Sequence, residues 1–195
     1  MKRDNHYEAA FEWFLRDRGV GFVAVDEARR TLLDDESVKS LDFIIVGPQD
    51  AKLVVDVKGR VFPGTSNGKQ RRVWQNWAEA EDIDGLERWA TRFGPGFRGV
   101  LAFVYHIRPC VELPPETPDL FTFRDRVYLA RGIDVTEYRA RMKRRSPRWG
   151  TVHLHADDFR EVVRPFSTFL ERVNHRDTEN TEEGRRSELH EAQIE

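Results

Sequence analysis

A chain of 195 residues, 34% charged and 39% hydrophobic with a net charge of −2, has the make-up of a globular protein with a sizeable core and a polar surface. It holds no apolar run near the roughly 20 residues of a membrane span, and its first residues lack the apolar stretch of a secretory signal. One cysteine, Cys110, excludes an internal disulfide and a Cys/His zinc framework. These features together predict a cytoplasmic protein that does not meet a membrane.

The charge is unevenly laid out. Residues 174–195 carry seven acids and three bases, few apolar residues and no periodicity, which predicts a disordered acidic tail. Residues 1–173 then form one domain, with a core over 5–107 and an elaboration over 120–173. Its bases fall in two blocks. Lys58 to Ala78 holds five bases and no acid, and Arg124 to Arg148 holds nine bases against three acids.

Asn5 to Arg18 has a helical stripe of Tyr7, Phe11, Phe14 and Leu15, and Gly19 stops it. Asn5 and Glu8 have the spacing of a capping box. Val20 to Val25 reads as a strand, followed by a polar loop or edge containing Arg29 and Arg30. Lys39 to Val46 and Lys52 to Arg60 are apolar, β-branched runs around Gly47-Pro48, the pattern of a tight antiparallel hairpin. A mobile Gly-rich basic loop, Arg60 to Arg72, comes next. Asp82 is the expected N-cap of a helix to Phe93, stopped by Gly94-Pro95-Gly96. Arg98 to Ile107 is a buried strand, so the strand–helix–strand order demands a parallel pair in a mixed sheet. Further on, Arg126 to Ala130 and Thr151 to His155 read as strands. Asp134 to Lys143 and Asp157 to Val173 read as helices, the second interrupted at Pro165.

The chemistry concentrates in the hairpin. Centred on Gln49, its register sets Asp42 opposite Asp56, and opposed side chains share a face with Cβ atoms about 4.5–5.5 Å apart. The strand period places Lys58 on the Asp56 face, while Leu53, Val55 and Val57 point the other way. Two carboxylates and an ammonium in an apolar segment are costly unless they are paired or bind a metal. The plainer alternative is an Asp56–Lys58 ion pair at a strand end with Asp42 in water.

Helix with Glu8, strand, strand with Asp42, strand with Asp56-Val57-Lys58, helix, strand: this order resembles the PD-(D/E)XK nuclease superfamily, and within it the archaeal-type Holliday junction resolvases. The likeness covers residues 5–107. The opening His6-Tyr7-Glu8-Ala9-Ala10-Phe11-Glu12 also resembles the HYExAFE family. Leu41 departs from the proline common at its position, and residues 120–173 have no counterpart in the resolvases.

The resemblance implies a restriction-endonuclease-like three-layer α/β fold, a mixed β-sheet flanked by helices, and metal-dependent hydrolysis of DNA. Asp42, Asp56 and the carbonyl of Val57 would ligate Mg²⁺ or Mn²⁺, hard ions suited to oxygen donors. Glu8 would act through water or on a second ion, and Lys58 would orient or deprotonate the attacking water. A homodimer is also implied. Arg29, Arg30, Arg60, Lys69, Arg71 and Arg72, with Arg141, Lys143, Arg144 and Arg145 on a basic helix face, are expected DNA contacts. Trp74 and Trp77 could stack on unpaired bases, although packing is the more ordinary role of a tryptophan. His153 and His155 share a strand face, and Cys110 reads as an inert buried thiol. The competing class is a catalytically silent nucleic-acid-binding or assembly module of the same fold.

Overall fold

The Asn5 side chain accepts the Tyr7 N–H at 3.1 Å and opens α1 (His6–Asp17), which ends before Gly19 at φ +64°, a conformation glycine adopts without a Cβ penalty. The buried stripe of α1 is Ala10, Phe11, Phe14 and Leu15. In this computed structural model, residues 5–25, 32–33, 36–37, 41–47, 50–66, 69–146 and 148–171 are described. After α1 come β1 (Gly21–Ala24), β2 (Leu32–Leu33), β3 (Glu36–Ser37), β4 (Phe43–Val46), β5 (Lys52–Phe62), β6 (Gly64–Ser66), β7 (Lys69–Arg71) and β8 (Ala78–Glu79). Then follow α2 (Ala80–Phe93), β9 (Phe97–Ile107), β10 (Leu120–Phe123), β11 (Arg126–Asp134), α3 (Val135–Arg141), β12 (Lys143–Ser146), β13 (Thr151–His153), α4 (Ala156–Val162) and β14 (Arg164–Pro165). A 3₁₀ turn, Phe166–Phe169, comes last.

The main sheet runs β1-β4-β5-β9-β11-β10, with β14 beside β11. β5 and β9 are parallel along their whole length, from Lys52 opposite Phe97 to Phe62 opposite Ile107, and the remaining neighbours are antiparallel. The α2 crossover therefore does what a parallel pair requires. The sheet separates two cores. Phe11 and Phe14 of α1 pack with Leu53, Val55 and Val57 on one face. Ile83 and Leu86 of α2, Tyr138 of α3 and Phe159 of α4 pack with Val54, Leu101 and Phe103 on the other. A mixed sheet flanked by helices is thus the architecture, as the order of elements requires.

Several local expectations change. Arg60 to Arg72 is not a loop, because β5 continues to Phe62 and a β6–β7 hairpin follows. The strand at Arg126 extends to Asp134, and β10 joins it through a two-residue turn in which Arg124 and Asp125 both have positive φ. An Arg-Asp pair carries none of the Asn-Gly signal that announces such a turn. The helix expected over Asp157 to Val173 ends at Val162. Pro165 holds its predecessor extended, and Arg164–Pro165 pairs with β11 instead. His155 leaves the strand face of His153 and sits at the N-cap of α4. Cys110 is an exposed thiol in the turn after β9, not a buried one. The acidic tail lies outside the described residues.

Candidate active site

Asp42 stands one step before β4, and the hairpin has the expected register, with Phe43 opposite Val55 and Val46 opposite Lys52. Its N–H donates to the Val55 carbonyl at 2.9 Å, and its Oδ2 accepts the Val57 N–H at 2.6 Å. The β4 edge is thus continued by a carboxylate in place of a backbone carbonyl. The group is buried, and its carboxyl is pushed up to about 8, first by burial and then by the charge of Asp56. The Val57 N–H opposes that rise, Glu8 adds to it, and Lys58 opposes it. Glu8 and Asp56 therefore lie within electrostatic reach of Asp42.

Two residues beyond Asp56 on the same strand face, Lys58 places its Nζ 2.6 Å from Asp56 Oδ2 and 2.6 Å from Asp82 Oδ2. Asp82 is the residue that sequence reasoning misplaced. It is not the N-cap of α2 but its third residue, in a reciprocal capping box with Glu79, whose N–H it accepts at 2.9 Å. The same oxygen that closes the box grips Lys58. Burial works to lower the Lys58 pKa, but the Asp56 and Asp82 charges outweigh it, and the net direction is upward. With these neighbours the Lys58 ammonium is gripped by two carboxylates.

Glu8 comes from the other side of the sheet. A Cβ on Gly59 would lie 2.2 Å from Tyr7 Cδ2, so only glycine lets the first turn of α1 rest on β5 beside Lys58. Asn5 Nδ2 donates to Glu8 Oε1 at 2.7 Å, which fixes the carboxylate from within its own turn. The hairpin, the crossover helix and α1 thus each contribute acid to one neighbourhood.

The residues present fit a hard divalent cation by donor type and by charge. Asp56 and Asp82 hold the one ammonium, Asp42 and Glu8 lie in electrostatic reach, and the Asp42 carboxyl is raised first by burial and then by the charge of Asp56. Among the described residues no group of three or more His, Cys, Asp or Glu side chains is arranged to hold a metal ion. Oxygen sites for Mg²⁺ use one or two carboxylates, completed by water and substrate oxygens, and that is the number Asp42 and Asp56 provide.

The expected DNA contacts are scattered. Arg29 and Arg30, with the side chains of Lys69 and Arg71, lie outside what is described. Arg60 is buried: its guanidinium lies 3.8 Å from the Trp77 ring centroid and donates to the carbonyls of Gly59 and Trp77. It is part of the fold rather than a groove residue. Arg72 is exposed. The basic run is no single helix face, since α3 ends at Arg141, Met142 is extended, and Lys143, Arg144 and Arg145 are exposed on β12. Arg141 lies 3.8 Å from Glu161, and Arg139 is held by Asp84 and Glu87 of α2. Trp74 stacks on Phe62 at 3.6 Å, the packing role. Rings of His153 and His155 are 5.6 Å apart and gather no third ligand among the described residues.

No protein-family model matches this sequence, and no curated protein matches it either. Among solved structures it is similar to a Holliday junction resolvase (Hjc) of Archaeoglobus fulgidus, an archaeal hyperthermophile, at 12% identity. That likeness covers 85% of this chain and 93% of the other, with a TM-score of 0.48.

Proposed function

We propose that the protein is a metal-dependent nuclease that hydrolyses DNA phosphodiester bonds. The observation that carries this reading is the convergence of Asp42, Asp56 and Lys58 from two hairpin strands, with Asp82 fixing the lysine. Asp42 and Asp56 would hold Mg²⁺ or Mn²⁺ with the Val57 carbonyl, and Glu8 would stand beside them. A divalent ion there supplies Lewis acidity toward a phosphoryl oxygen and a strong oxygen nucleophile near neutral pH.

The chain's own groups have separate tasks. Asp42, whose carboxyl is raised by burial and by the charge of Asp56, would hold the ion as its carboxylate. Lys58, an ammonium with two carboxylates to orient it, donates hydrogen bonds to the phosphate and stabilises its developing charge. Asp82 positions that lysine without touching substrate. Lys143, Arg144 and Arg145 supply sequence-independent affinity for the backbone. The resemblance that suggests cleavage also suggests a homodimer, which the mass in solution with and without DNA decides.

The test is cleavage of a panel of linear, gapped and branched DNAs with Mg²⁺ or Mn²⁺, using wild type, Asp42→Asn and Asp56→Asn. Cutting by wild type and at least a hundredfold loss in both variants, on the order expected when an electrostatic catalytic group is removed, is the expected result. A silent binding module has one observation in its favour, because a lysine held by two carboxylates is also a structural device. Wild type that binds but never cuts any of these DNAs would establish that second reading.

A further inference from the structure

We infer that the β12–β13 hairpin is a base-engaging element that makes DNA with unpaired nucleotides the substrate class of this site. The inference rests on the nuclease reading for its catalytic meaning, but its own observations are separate. The first is where the hairpin is attached. Thr151 and Val152 pair with Glu79 and Ala78, and the Gly150 carbonyl accepts the Ala80 N–H at 2.9 Å. Ala80 opens α2, and Asp82 two residues later holds Lys58. The hairpin tip and the acidic cluster are therefore built on the same helix end.

The second observation is charge. From Lys143 to Thr151 there are four bases and no acid, and Lys143, Arg144, Arg145 and Arg148 are all exposed. A nucleic acid backbone complements such a ribbon. The register also slips between Arg144 and Ser146, so Arg145 is the extra residue of a bulge. Bulges re-aim side chains, and this one turns the Arg145 guanidinium to 5.1 Å from the Trp77 ring centroid.

The third observation is the indole at the tip. Trp149 is 73% exposed, the most exposed of the large hydrophobic residues described, and the Arg148 guanidinium lies 5.9 Å from its ring. Between Trp149 and Trp77 opens a hollow of about 520 Å³, floored by Arg145, Ser146 and Thr151. Glu79 is its only acid, and that residue is engaged in the capping box. The hollow is of small-molecule size, bounded by two indoles and a guanidinium. Bases inside a duplex already have both faces stacked and cannot offer one to Trp149. An unpaired base can, and stacking tolerates any sequence.

The experiment compares affinities, by fluorescence anisotropy in Ca²⁺, for a continuous duplex and the same duplex with a short single-stranded gap. Wild type is expected to prefer the gapped DNA. Trp149→Ala should reduce that preference about 5- to 150-fold, the range for loss of one base–aromatic stack, and Trp149→Phe should keep most of it. Because the side chain is largely in water, the melting temperature should not move. Equal preference in wild type and Trp149→Ala overturns the inference, as does a variant altered only in its self-association, which would make the tip a protein contact. The two readings fail separately. Cleavage without a gap preference removes the hairpin's role and leaves the nuclease. A Trp149-dependent preference without cleavage removes the nuclease and leaves the hairpin.

Discussion

In the folded protein the Asp42 carboxyl is lifted from 3.8 to about 8, first by burial and then by the charge of Asp56. Between roughly pH 4 and pH 8 the folded state thus binds a proton that the unfolded chain has released. The resulting stabilisation is complete below the unfolded value and is lost as pH rises through about 8. Thermal melts in a chelator should therefore show metal-free wild type losing stability relative to Asp42→Asn across that window. Adding a divalent ion at the alkaline end should restore wild type more than the variant; parallel melting curves would place Asp42 in an ordinary environment. Lys58 poses a different case. Removing one partner of a buried pair typically costs about 3–5 kcal/mol, so Lys58→Ala should unfold at lower denaturant whether or not the protein is an enzyme. What separates the two is the single-turnover rate well below the melting temperature, which falls only in a nuclease. Asp42, Asp56 and Lys58 could be placed from sequence because strand register is simple arithmetic about a turn. Asp82 was hidden because an acid at a helix start already has a sufficient explanation as a cap. Its signal was topological: the first turn of a crossover helix lies near the carboxyl end of the strand it leaves.

At the scale of elements, the long basic run shows how composition misleads about shape. Arg139 to Arg145 suits a helix face by charge alone, yet the backbone turns extended at Met142, and the bases divide between two surfaces. Arg139 serves α2, through Asp84 and Glu87, while Arg144 and Arg145 face solvent on β12. Charge reversal at Arg144 and Arg145 should weaken DNA binding and lower the slope of log affinity against log salt by about two, near 0.9 per lost phosphate contact on duplex DNA. Arg139→Ala should leave that slope unchanged and shift stability by at most about 1 kcal/mol, as exposed ion pairs do. A titration series at several salt concentrations measures both. The helix and hairpin around the site were legible because their apolar periods are long. After Asp119 the strand at Arg126, the helix after Asp134 and the strand at Thr151 were legible, but β10, β12 and β14 were not, because such short strands carry too few residues to show a period.

For the molecule as a whole, the site depends on how closely two layers approach. Gly59 lets Tyr7 lie against β5, and a methyl there would push α1, with Glu8, off the sheet. Gly59→Ala should cost about 1–3 kcal/mol, as overpacking does, and a double-mutant cycle with Tyr7→Ala should show coupling between the two positions. Simple additivity would mean that α1 and β5 move independently. The architecture was legible in outline from element order, and the two-core division followed from β5 being apolar on both faces. The pairing of β5 with β9 has a further consequence, for the order in which the chain acquires its structure. Asp42 and Asp56 come together in a local hairpin, whereas the eleven-residue β9 register must wait for partners 45 residues downstream. Non-local parallel pairing is slow, and strand edges left open meanwhile invite aggregation. A nascent chain ending before β9 would therefore carry the carboxylate half of the site already paired, with the central strand's other edge still open to any neighbouring chain.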